Sequence, residues 1–150
     1  MAAEYIAQEQ NVSLNSPIDF SASIPCNRGY IVHENGTGVF ILRGVTNQCY
    51  ATYQVTFNGN ISIPEGGAVT AIAVALSVNG EPRNASKAIF MPQAVEEFGN
   101  VTSTAIIKVP KCCCYSLAVE YVDATTNDPA VTPTPTIDIA NGNVTISRIA

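Results

Sequence analysis

The stretch YQVTFNGNISIP, residues 53–64, indicates the fold class of this 150-residue chain. Apolar and polar residues alternate on both sides of Asn58-Gly59, and a period of two is typical of a half-buried β-strand. Asn-Gly is also the favoured dipeptide of a two-residue hairpin turn. The stretch therefore predicts a β-hairpin whose first arm ends at residue 57 and whose second arm begins at residue 60.

A second segment repeats this design near the C-terminus. The sequence IDIANGNVTISRI, residues 137–149, places β-branched residues on both sides of Asn141-Gly142. Two further Asn-Gly pairs stand at residues 35–36 and 79–80. Four such dipeptides beside β-branched or aromatic residues favour an all-β chain over a helical one.

Short apolar segments separated by turn residues predict about ten strands. They cover residues 28–33, 37–45, 49–57, 60–63, 69–78, 86–91, 101–109, 113–122, 130–139 and 143–149. The first ten residues and a short turn at 92–99 are the only candidates for helix. We predict an all-β, antiparallel jelly-roll sandwich, with residues 26–150 forming a single domain.

Residues 1–25 differ from the rest, because they are polar early and contain two prolines. One interpretation is a disordered leader, and the other is an extended N-terminal arm that docks on a neighbouring subunit or an underlying surface. The second interpretation predicts five apolar residues as the contacts. These are Tyr5, Ile6, Leu14, Ile18 and Phe20.

The composition argues against some classes of partner. Charged residues make up 13% of the chain, the net charge is −5, and no Lys/Arg cluster occurs. Nucleic acid is not expected as a partner, because phosphate binding needs a concentrated basic face. The longest apolar run, residues 68–78, is too short for a bilayer and suits a buried strand. The first residues lack a signal-peptide pattern, so we expect synthesis in the cytoplasm.

The sequence offers little for catalysis. His33, the one histidine, ends an alternating run, and no Gly-x-Ser-x-Gly motif accompanies it. Glu96-Glu97 is an adjacent acidic pair at a predicted turn, and Gly66-Gly67 precedes a strand rather than a helix, so it is no phosphate loop. We predict no catalytic residue, no cofactor and no enzyme activity.

Three consecutive cysteines, Cys112 to Cys114, form the most unusual motif, VPKCCCYSL at residues 109–117. Alternate side chains on a strand face opposite ways, so the three thiols cannot converge on one metal ion. The favoured interpretation is that they pack as small buried hydrophobes. A metal or disulfide link with Cys26, Cys49 or another chain stays open as the alternative.

Four segments resemble the tumour-necrosis-factor/complement-q globular-head superfamily. Residues 38–59 resemble its early core strands, 74–86 its central hairpin, 101–121 its paired apolar strands and 141–150 its closing strand. The resemblance implies a jelly roll that assembles as a homotrimer and buries an apolar sheet face between subunits.

The whole chain is also similar to small virion-associated proteins of Firmicutes phages and prophages. The similarity is in residues 24–33, 38–44, 57–67 and 102–110. It implies a trimeric capsid decoration protein on the virion surface, made in the bacterial cytoplasm, with the major capsid protein or another virion protein as partner. The alternative is a receptor- or glycan-binding head of a phage fibre or spore-surface protein.

Overall fold

The computed structural model describes residues 2–25, 29–124 and 132–150. Over these residues the chain forms twelve strands and one 3-10 turn, Asn84–Ser86. The strands are β1 Ala2–Ala7, β2 Gln10–Ser13, β3 Ser21–Ile24, β4 Ile31–His33, β5 Phe40–Arg43, β6 Tyr50–Ser62, β7 Ile72–Val78, β8 Glu81–Pro82, β9 Ala88–Phe90, β10 Gly99–Pro110, β11 Cys114–Asp123 and β12 Thr136–Arg148.

Two antiparallel sheets face each other across one core. The first sheet has the order β10-β6-β12-β1-β3, and β2 also pairs with β12. The second has the order β4-β5-β11-β7-β8, and β9 pairs with β7. Buried apolar side chains from both sheets form one continuous cluster. The predicted all-β, antiparallel jelly-roll sandwich is confirmed.

Aromatic rings from both sheets meet in the middle of this core. The Phe40 ring centroid lies 4.7 Å from that of Tyr5, 5.6 Å from that of Phe20 and 4.3 Å from that of His33. Phe57 contacts the same group through Phe20, at 6.1 Å. Aromatic pairs in such contacts contribute about 0.5–1.5 kcal/mol beyond their buried area. The cluster therefore ties β1 and β6 to the second sheet.

The predicted hairpin at Asn58-Gly59 is wrong. Strand β6 runs straight through these residues, with Gly59 opposite Val101 of β10 on one side and Gly142 of β12 on the other. Neither Asn58 nor Gly59 has the positive φ that a type I′ turn requires. A turn here would end the pairing of β6 with both neighbours, and the central position of β6 in the sheet forbids this.

The predicted hairpin at Asn141-Gly142 is wrong for a related reason. Strand β12 continues through the dipeptide, and its register against β6 shifts by one residue between Ile139 and Asn141. This bulge keeps the apolar residues on both sides of it directed at the core. The pair at residues 79–80 does form a turn, since Asn79 has φ 54° and Gly80 has φ 85°.

The first 25 residues are extended but belong to the sandwich. Strand β1 lies between β12 and β3, and β2 continues along β12. Between β2 and β3 the chain crosses to the second sheet, where the Ile18 amide donates to the carbonyl of Val119 at 2.8 Å. The helical alternative for the first ten residues is therefore wrong. The predicted arm is hydrogen-bonded into both sheets of its own chain.

The apolar run at residues 68–78 forms β7, whose residues 72–76 are fully buried within the single chain.

On the neighbouring strand β11, the hydroxyl of Tyr121 donates to the carbonyl of Thr134. Burial, with a smaller effect from Asp123, raises the pKa of Tyr121 to about 12. Within the described part of the chain, no helix has the length and hydropathy to span a membrane.

Candidate functional site

The outer side of the first sheet is a surface of mainly uncharged polar residues, here called the polar face. Because side chains alternate along a strand, every second residue of β10, β6, β12 and β1 points away from the core. Pairing aligns them in four rows. These are Asn100–Asn60–Asn141, Thr102–Asn58–Asn143–Ile6, Thr104–Thr56–Thr145–Glu4 and Ile106–Gln54–Ser147–Ala2.

Side chains of neighbouring strands form hydrogen bonds within these rows and between adjacent rows. Asn58 Oδ1 accepts from Asn100 Nδ2 at 2.9 Å and from Thr102 Oγ1 at 3.1 Å. Asn60 Nδ2 donates to Asn141 Oδ1 at 2.9 Å. Side-chain amides carry both donors and acceptors, so each bond leaves further capacity directed at solvent. The polar face can therefore bind a second hydrogen-bonding surface without rearranging.

A shallow concavity of about 370 Å³ lies over the Gly59–Gly142 pair. Its lining consists of Glu4, Ile6, Asn58, Gly59, Asn60, Asn100, Asn141, Gly142 and Asn143. Glu4, the one charged side chain of the four rows, accepts from Asn143 Nδ2 at 3.3 Å. The concavity thus offers amides and one carboxylate.

The sequence contains a pattern, Asn-x-Thr, that predicts this face. The interpretation of Asn58-Gly59 and Asn141-Gly142 as hairpin turns left that pattern unused. Asn-x-Thr places an amide and a hydroxyl two residues apart, and that spacing puts both on the same side of a strand. Asn100 with Thr102, and Asn143 with Thr145, are such pairs. Read as strand alternation, they predict a polar sheet face. This differs from the apolar sheet face that the superfamily resemblance implies.

The five predicted contact residues of the N-terminal segment differ in how far they are buried. Tyr5, Ile18 and Phe20 are buried in the core of their own chain, and Leu14 packs partly against it. Ile6 is 41% exposed and lies on the polar face, so it has surface to offer a neighbour. Contact of these residues with a neighbouring subunit or a capsid stays a prediction, and only Ile6 and Leu14 have accessible surface for it.

The residues considered for catalysis lie apart. His33 stacks on Phe40 at 4.3 Å, and its Nε2 lies 2.9 Å from the carbonyl oxygen of Thr37. Glu97 accepts from the amide of Gln93 at 3.0 Å, within a local turn. On the outer side of the second sheet, burial raises the pKa of Glu120.

The prediction that the three consecutive cysteines pack in the interior is wrong. Cys112, Cys113 and Cys114 are exposed with free thiols, as is Cys49. Cys112 has φ 66°, a turn conformation, so the strand begins only at Cys114. The described residues contain no group of three or more His, Cys, Asp or Glu placed to hold a metal ion. Cys26 lies outside the described residues.

Comparisons with known proteins identify the fold. No protein-family model and no curated protein sequence matches the chain. The globular domain of zebrafish complement 1qA superposes with a TM-score of 0.64 at 12% identity, covering 99% of this chain and 97% of that chain. The Eiger TNF of S. frugiperda gives 0.65 at 11%, with coverage of 100% and 92%. Murine APRIL gives 0.62 at 8%, with coverage of 99% and 100%.

These likenesses extend over nearly the whole chain. They show that the protein has the jelly-roll fold of the tumour-necrosis-factor and complement-q domains.

Proposed function

We propose that this protein is a non-enzymatic structural component of a phage virion, a homotrimer that attaches to the capsid as a decoration protein. The observation that carries the proposal is the polar face. Its Thr, Asn and Gln side chains, with one carboxylate in four rows, present hydrogen-bond donors and acceptors to a second protein surface.

The polar face is suited to self-association because it is nearly neutral and has donors and acceptors throughout. Two copies of a strongly charged face repel each other, whereas two amide-rich faces can satisfy each other's hydrogen bonds. Ile106 of β10, 56% exposed, and Ile6 of β1, 41% exposed, lie on opposite sides of the face. In a closed three-fold ring, the β10 side of one copy would meet the β1 side of the next.

Attachment to a capsid is proposed from the resemblance of four sequence segments, residues 24–33, 38–44, 57–67 and 102–110, to small virion proteins, and from the advantage of three-fold avidity on a lattice. The alternative, a receptor- or glycan-binding head, is favoured by the concavity over Gly59 and Gly142. Its asparagine amides and the Glu4 carboxylate could hydrogen-bond sugar hydroxyls.

Substitution at the centre of the polar face tests self-association. Thr56 lies between Thr104 and Thr145 in its row, so Thr56→Arg places a long charged side chain, which association must desolvate, at the centre of the face. We expect a trimer for the native chain and a folded monomer for the variant, with association weakened by about 100-fold or more. Multi-angle light scattering and far-UV circular dichroism measure the two properties.

Ile89→Arg is the matched control, because Ile89 is 58% exposed on a strand of the second sheet. The control should remain trimeric. A native chain that runs as a monomer, or a Thr56→Arg variant that stays trimeric, would refute assembly through the polar face.

Attachment is tested by sedimentation with purified phage heads of a host strain whose prophage encodes the chain. The native protein should sediment with heads from which the endogenous copy has been deleted, and bound copies should appear as three-fold densities by electron microscopy. Binding to immobilised glycans without binding to heads would favour the alternative instead.

A further inference from the structure

The loop that carries the cysteines, residues 111–114, has a fixed backbone. The amide of Cys112 donates to the carbonyl of Gly44 at 3.0 Å, and the amide of Gly44 donates to the carbonyl of Cys113 at 2.8 Å. A Cβ on Gly44 would lie 2.0 Å from the carbonyl oxygen of Pro110, so glycine alone permits this approach. The cysteine loop, as we call it, therefore presents three exposed thiols from a rigid support.

These thiols cannot all pair with one another. Consecutive Cα atoms are about 3.8 Å apart, whereas a disulfide spans about 4.4–6.8 Å between Cα atoms. Within the loop only Cys112 and Cys114 could form a bond, and that would leave the thiol of Cys113. All three thiols of the loop are free and exposed, so a reagent from outside can reach them.

Cationic residues lie close to the loop in sequence and in strand pairing. Residues 38–64 and 98–119, which include the loop and its hydrogen-bonded partner Gly44, contain Arg43, Lys108 and Lys111 but no Asp or Glu. Arg43 lies opposite Cys114 in the pairing of β5 with β11, and it lines a 100 Å³ pocket together with the three cysteines. The whole chain has a net charge of −5, so this local excess of cations is distinctive.

A second concavity, of about 280 Å³, adjoins the pocket through their shared residue Val45. Its lining includes Arg148, whose guanidinium carbon lies 4.3 Å above the ring centre of Tyr30. Arg148 Nε donates to the carbonyl of Ala150, while its buried Nη1 has no hydrogen-bond partner among the described residues. Because Nη1 is buried out of reach of a ligand, Arg148 adds positive charge at this end of the sandwich and not a direct contact.

We propose that this end of the sandwich is a thiol–disulfide exchange site for small disulfides that bear carboxylates. A loop thiolate attacks one sulfur of the disulfide, a bond forms between the two sulfurs, and the disulfide's own S–S bond breaks. The departing thiolate takes up the proton that the cysteine released. Arg43, which lines the pocket with the three cysteines, and Lys111 of the loop hold the carboxylates, and the product is a mixed disulfide on the loop. The site does not depend on the assembly proposed above.

The test compares two disulfides of opposite charge on the full chain. Oxidised glutathione carries carboxylates, whereas cystamine carries amines and no carboxylate. After brief incubation and acid quenching, intact mass and peptide mapping give the rate and position of the adduct. We expect oxidised glutathione to react about tenfold faster at low ionic strength, and salt should reduce the difference.

Variants locate the reaction. Replacing Cys112, Cys113 and Cys114 together by Ser should abolish the loop adduct, and Cys49→Ser should leave it. Lys111→Gln and Arg43→Gln should each slow the reaction of oxidised glutathione without slowing that of cystamine. Equal rates for the two disulfides would overturn the proposal. So would chain-to-chain disulfides as the first product on a non-reducing gel, because the partner would then be a second copy.

Discussion

A chain that begins at residue 26 is expected not to fold. The truncation removes β1, β2 and β3, and with them the buried side chains of Tyr5, Ile18 and Phe20. Loss of one large core side chain costs about 2–5 kcal/mol, so loss of three reaches the about 5–15 kcal/mol that stabilises a whole domain. It also leaves the edge of β12 unpaired. Circular dichroism and a thermal melt should show no cooperative transition.

The control for this truncation is Ile6→Ser in the full chain. Ile6 is on the same strand as Tyr5 but points outwards and is 41% exposed, so the variant should melt within a few degrees of the native protein. If the truncated chain instead melted cooperatively at the native temperature, residues 1–25 would be a separable arm, and their contribution to the core would be disproved.

Gly59→Ala is expected to destabilise the protein by about 3 kcal/mol, because overpacking a tight core costs about 1–3 kcal/mol or more. A Cβ on Gly59 would lie 2.6 Å from Cζ of Phe57 and 3.1 Å from the carbonyl oxygen of Asn141. In a chain of this size the change corresponds to a fall in melting temperature of about 6–12 °C. Urea denaturation and calorimetry measure it.

Two further variants separate this clash from the ordinary cost of replacing glycine. Gly66 has φ 84° and no atom within 4 Å of an added Cβ, so Gly66→Ala should cost only the strain of its conformation, about 1 kcal/mol. Phe57→Leu shortens the opposing ring, so Gly59→Ala should cost less in that background than in the native chain. Additive effects of the two changes would contradict a packing role for Gly59.

The two mistaken hairpins differ in what the sequence could have shown. In a hairpin turning at Asn58-Gly59, residue 57 would pair with residue 60, so Phe57 and Ile61 would face opposite sides. An unbroken strand puts both on the core side, and their spacing already favoured it. At Asn141-Gly142 the spacing instead favours a hairpin, because Ile139 and Val144 would pair. Because β12 has a one-residue bulge, Ile139 and Val144 both face the core although β12 is a single strand.

For the candidate sites too, the sequence predicts some features and only the structure shows the others. Asn-x-Thr spacing in β10 and β12 was sufficient to predict polar residues on one side of each strand. Their alignment into rows depends on the register between strands such as β6 and β10, whose paired row residues are 40 to 52 positions apart in sequence. The exposure of the cysteine loop depends on the positive φ of Cys112 and on the close approach of Gly44, which composition does not reveal.

The sequence by itself determined the all-β class and the antiparallel sandwich, because alternation with a period of two is a local property of each strand. Tertiary structure alone decided that two Asn-Gly pairs extend and two turn, that the first 25 residues complete the core, and that the cysteines are exposed. The physical reason is that pairing and burial energies of several kcal/mol, gained between distant segments, exceed the roughly 1 kcal/mol preferences of single residues for turn or strand.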